Sequence, residues 1–179
     1  PNTGALGNGR LQPGDTVYSR GVTEPGQFIS GREIGMYFRN IAGTLSNQVG
    51  VVAYPNTRPF ISSENKATDQ LNSRGIVLSK FTAEVGYRND SDPVNAGNSS
   101  NSNSHFAIKN WNRAVGNYFT DIDGKCSTGY SGSISSTNGE GDQGKVYGNH
   151  LHEIGCDNTS RFQHTMYMSL RDNSATIQA

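Results

Sequence analysis

"GIVLSKFTAEVGYR", residues 75–88, carries the alternation from which the fold is read. Successive side chains of an extended strand face opposite ways, so Ile76 and Leu78 share one face. The alternation then changes phase, and Phe81, Ala83 and Val85 form the next inward set. The period is two, as in a half-buried strand, and a change of phase within a strand reads as a bulge or a bend.

The same signal recurs along the chain. "DTVYSR" (15–20), "EIGMYFRNI" (33–41), "QVGVVAY" (48–54), "HFAIKNWN" (105–112), "GNYFTDI" (116–122), "GKVYGNHLHEI" (144–154) and "RFQHTMYMSLR" (161–171) carry Val, Ile, Tyr and Phe between Gly, Asn, Asp and Pro breakers. Only "ENKATDQLNSR" (64–74) has the length and composition of a short helix; being polar all round, it reads equally as a loop. The segments 36–54 and 106–124 share a plan of apolar strand, Arg/Lys-Asn, Gly-containing turn and second strand, and each reads as a β-hairpin. The class is all-β and loop-rich. The chain reads as one unit over 1–179, with any subdivision falling near position 70.

Composition narrows the function. Hydrophobic residues make up 32% of the chain and charged residues 17%, and mean hydropathy is −0.64. Gly, Ser and Asn account for about a third of the residues, well above ordinary usage. Eight tyrosines, seven phenylalanines and zero net charge argue against disorder. The shortage of apolar residues instead predicts a core shared between chains, and hence a homotrimer. Without a basic cluster, nucleic acid is excluded as a partner. No apolar run is long enough to span a membrane as a helix. No secretory leader is evident; the chain begins at Pro1, as a processed chain or a fragment does. Cys126 and Cys156 fit either one disulfide or two buried thiols.

Few motifs carry chemistry. "HEIGC" (152–156) lacks the second histidine of a zinc-protease helix, "GYSG" (129–132) lacks the spacing of a nucleophile elbow, and "DIDG" (121–124) brings its glycine too early for a calcium loop. No pair of carboxylates stands out for glycoside hydrolysis, so the chain is read as a non-enzyme. His150 and His152 remain. On a strand they project side by side, as two ordinary surface histidines, as part of a zinc site with Cys126 and Cys156, or as a third of a shared shell. In the last case three copies around an axis bring six imidazole nitrogens to one ion. Binding residues are sought where aromatic rings meet polar loops: Trp111 and Tyr118 beside the loop 89–104 with its Asn101 and Asn103, and Tyr130 in the loop 127–144.

The Gly/Ser/Asn-rich β chain, the segments "FRNIAG" and "IKNWNRAVGNYFTDIDG", and the single His-x-His strand together resemble the distal part of a trimeric bacteriophage tail fibre. The resemblance is one of style over most of the chain, and only His150 and His152 match a motif. It implies an elongated, intertwined homotrimer in the virion that attaches the phage to a bacterial surface receptor, a glycan or an outer-membrane protein. It also implies an iron or zinc ion on the threefold axis, held by His150 and His152. Two other readings stand beside it: the lectin domain of a pilus-tip adhesin, secreted to the bacterial cell surface, and a glycan-degrading tailspike.

Overall fold

The computed structural model describes residues 11–20, 34–63, 66–85, 105–108, 110–121, 133–136, 143–154, 165–168 and 176–178. Among them all regular structure is strand, so the fold is all-β. Among the described residues no helix is long and apolar enough to cross a membrane. In chain order the strands are β1 (Thr16–Ser19), β2 (Ile34–Arg39), β3 (Val49–Ala53), β4 (Phe60–Ser63), β5 (Lys66–Leu71), β6 (Ile76–Ser79), β7 (Thr82–Val85), β8 (Phe106–Ala107), β9 (Arg113–Val115), β10 (Tyr118–Asp121), β11 (Ile134–Ser136), β12 (Lys145–Tyr147), β13 (His150–His152), β14 (Met166–Met168) and β15 (Thr176–Gln178).

Every strand ladder is parallel. One sheet runs β1-β3-β6-β9-β12-β15, a second β4-β7-β10-β13, and a third side is built from β2-β5 and β8-β11-β14. The chain therefore visits each side in turn and returns to the first, laying each strand on its counterpart one coil earlier. This is a β-solenoid, in which each coil buries its apolar edge against its neighbours. The first two sheets run through position 70 without a break. On the third side β5 is tied to the next coil by side chains on either side of β8: Thr68 Oγ1 donates to the His105 carbonyl (3.0 Å), and Asn112 Nδ2 donates to Gln70 Oε1 (2.6 Å).

Parallel stacking in register puts like on like. Val51, Leu78, Ala114 and Val146 form one inward column; Ile61, Ala83, Phe119 and Leu151 form a second; Phe106, Ile134 and Met166 form a third. Phe38, Phe81, Phe106, Phe119, Leu78 and Ile76 are fully buried in one cluster. The described coils thus enclose a core of their own, although the composition had pointed to one shared between chains. A solenoid needs few apolar residues because each coil contributes only one or two inward side chains per side.

Several readings from sequence are corrected. Segments 36–54 and 106–124 are not hairpins, since β2 pairs with β5, β3 with β1 and β6, and β8 with β11. Each instead passes from the third side to the first, at equivalent places in different coils. Residues 66–71 are strand β5 rather than helix or loop, and their buried polar side chains, Thr68 and Gln70, are hydrogen-bonded into the next coil. The inward set Ile76, Leu78, Phe81 and Ala83 is fully buried as expected, but the change of phase is a corner between two sheets. "GKVYGNHLHEI" is likewise two strands that meet at a corner.

Those corners explain the coil. Lys80, Gly116 and Gly148 follow register-matched strands β6, β9 and β12, and all three have left-handed φ (63°, 62° and 54°). Gly75, Trp111 and Gln143, at the preceding corner, repeat the pattern (63°, 63° and 54°). Asn40 and Asn72 do the same after β2 and β5 (56° and 51°). A single left-handed residue turns the strand sharply without breaking the stack. At the Gly75 corner the backbones also touch: a Cβ on Gly43 would lie 2.3 Å from the Gly75 carbonyl oxygen.

Candidate functional site

The second sheet turns alternate residues outward. The register stacks Tyr118 on Thr82 and His150 on Tyr118; beside that column it stacks Thr120 on Glu84 and His152 on Thr120. Inward neighbours Ala83 and Phe119 are fully buried, which fixes the outward orientation of the residues between them. The backbone of the face is pinned by the N–H of Tyr118 to the Phe81 carbonyl and by the N–H of His150 to the Asn117 carbonyl, both 2.8 Å.

Three rings meet on this face. The centroids of Tyr118 and His150 are 5.0 Å apart, edge to face, and those of Tyr118 and His152 are 6.0 Å apart, stacked. The two imidazoles are 5.8 Å apart at 81°. Both are exposed and Tyr118 is half-buried between them and the sheet. Nδ1 of His152 lies 3.6 Å from Glu153 Oε2. Further along the sheet, partial burial holds the Glu84 carboxyl above the usual carboxylate range.

The separation of the imidazole pair lies under the outer limit for two rings on one ion. A nitrogen bound at about 2.1 Å sets its ring centre about 3.2 Å from the ion, so two rings on one ion lie up to about 6.5 Å apart. The observed 5.8 Å is inside that limit. Among the described residues no group of three or more His, Cys, Asp or Glu is assembled.

The structure brings Tyr118 together with His150 and His152, a grouping that sequence reasoning had divided between receptor and metal. Trp111 is elsewhere: it occupies a left-handed corner at the opposite end of β9, half-buried, with the Arg74 guanidinium 5.2 Å from its ring centre and its carbonyl accepting from Gln48 Nε2. Asn101, Asn103, Tyr130, Cys126 and Cys156 lie outside the described residues. Glu84 and Thr120 were missed as parts of this face. The signal was present in "VLSKFTAEV" (77–85), "RAVGNYFTD" (113–121) and "KVYGNHLHE" (145–153), which align position for position.

Comparison with known protein families, with curated proteins and with solved structures finds no match.

Proposed function

We propose that this chain is an attachment protein that binds a bacterial surface receptor without turnover, in the setting of a viral tail fibre. The observation that carries the reading is the cluster of Tyr118, His150 and His152 on the solvent side of a rigid sheet. An aromatic ring flanked by two imidazoles offers stacking surface and both hydrogen-bond donors and acceptors, which suits the hydroxyls of a glycan or the polar groups of a protein. The same rings cannot face a receptor and also close on a threefold axis. We place them toward the receptor, with each chain's His150 and His152 holding one zinc or iron ion whose open positions are left for a receptor donor atom.

Tyr118→Ala and the double variant His150→Ala, His152→Ala should each lose binding to bacterial envelopes while melting close to the parent temperature. Unchanged envelope binding in both would move the receptor site elsewhere. Metal analysis should find one ion per chain, absent from the double variant and lost on acidification as protons compete for the imidazoles. One ion per three chains, in a particle whose light-scattering mass is that of a trimer, would put the histidines on the axis and overturn the receptor-facing assignment. Release of sugar or peptide products from envelopes would overturn the non-enzymatic reading and direct attention to Glu84.

A further inference from the structure

A second surface stands apart from the histidine face. Among the described residues three large apolar side chains are strongly exposed: Tyr18 (60%), Leu45 and Tyr54 (42%). Tyr18 and Tyr54 touch, their rings 6.3 Å apart and nearly perpendicular at 78°. The Arg20 guanidinium carbon lies 4.5 Å from the centre of the Tyr54 ring, and Arg20 makes no ion pair among the described residues. The group is built on fixed backbone. Tyr18 is paired with Val52 across the β1–β3 ladder, and the Tyr54 N–H donates to the Ser19 carbonyl (2.8 Å). The Tyr54 carbonyl accepts from both the N–H and the Oγ1 of Thr57 (3.0 and 2.7 Å), which closes the turn behind it.

We propose that Tyr18, Arg20 and Tyr54 form a binding site for an acidic saccharide. Two rings set at a right angle make an open corner, one wall taking the apolar C–H face of a sugar ring and the other its edge. Neither tyrosine hydroxyl is hydrogen-bonded among the described residues, and both can meet sugar hydroxyls. Arg20, which pairs with no carboxylate among the described residues, supplies a planar fork for the carboxylate of a uronic or sialic-type sugar, already oriented by its contact with Tyr54. The site does not depend on the reading of the histidine face.

Isothermal titration with trigalacturonate, sialyllactose and neutral galactotriose tests the proposal. At least one acidic probe should bind about tenfold or more tighter than the neutral one, and added salt should narrow the difference. Arg20→Gln should remove the preference for acid while leaving weak residual binding, and Tyr18→Ala should remove binding altogether. Both positions are exposed, so circular dichroism and melting should match the parent. The double variant His150→Ala, His152→Ala should bind these probes as the parent does, which separates the two surfaces. The proposal fails if neither acidic probe binds, if acidic and neutral probes bind alike, or if Tyr18→Ala binds as before.

Discussion

His105 is an ionisable side chain at the centre of the core. It is fully buried, its ring 5.4 Å from that of Phe119, and its Nε2–H donates to the Thr120 carbonyl at 2.8 Å. Burial lowers its pKa to about 4, with the carbonyl contact opposing part of the shift. Because the folded pKa is depressed, His105 is neutral in the native chain while an unfolded chain takes up a proton below about 6.5. Stability from this group is complete above that pH and is lost as pH falls toward 4, on the order of 3 kcal/mol in all. Urea melts between pH 7 and 4.5 should show this slope, and His105→Gln should flatten it even if it lowers stability throughout. A left-handed corner gives a second test at this scale. Lys80 (φ 63°) and Gly148 (φ 54°) hold equivalent corner positions, and nothing lies within 4 Å of a Cβ built on Gly148. Lys80→Gly should stabilise by about 0.5–1 kcal/mol and Gly148→Ala should destabilise by about 1 kcal/mol, measured by denaturant midpoints.

At the scale of the strand, side chains at the corners tie one coil to the next. Asn117 Oδ1 accepts from the Phe81 N–H (3.0 Å), and its Nδ2 donates to the Leu78 carbonyl (3.0 Å) and to Asn149 Oδ1 (2.9 Å). Asn149 Nδ2 in turn donates to the Ala114 carbonyl (2.8 Å). At the other end of β9, Asn112 Oδ1 accepts from the Ile76 N–H (2.8 Å). Asn117→Ala leaves the Phe81 N–H and the Leu78 carbonyl buried without these partners. It should cost about 2–4 kcal/mol in chemical denaturation, with a loss nearer 0.5 kcal/mol showing that water replaces the side chain. These ties also mark what was legible in sequence. Strand positions and the inward set 76, 78, 81 and 83 follow from period-two alternation, which survives in one sequence. Pairing partners do not, because each strand's partner lies a whole coil away and the coils differ in length. The short "GN" at 116–117 and 148–149 was the clue: a left-handed glycine followed by a buried amide, at matching places after β9 and β12. Read as a hairpin turn, Gly116 gave antiparallel strands, and Gly148 was read as lying within one strand; read as corners, both give the parallel stack. For the candidate site, His150 and His152 were legible as neighbours, whereas their meeting with Tyr118 depends on inter-coil register.

At the scale of the molecule, the long connections share one place in the topology. Residues 86–105, 122–133 and 153–165 each leave the second sheet and enter the third side, whereas residues 80–81, 116–117 and 148–149 make the short turns from the first sheet to the second. The strands on either side of each long connection are already fixed by their neighbours in adjacent coils. Replacing 88–103 by a short Gly-Ser linker should therefore leave a single cooperative melt, with a midpoint within a few degrees of the parent's. A collapse of the transition would mean that the segment helps to hold the stack.

The left-handed corners have a consequence for how such a chain can change over time. At 80–81, 116–117 and 148–149 the turn closes within two residues, so this part of the frame is specified locally. Reach and grip become separable traits. A connection can lengthen, shorten or be exchanged for an unrelated one, and the coils beneath it keep their spacing. A protein that must follow a changing target gains from that division, because novelty accumulates along one margin while the rest of the molecule is copied unaltered.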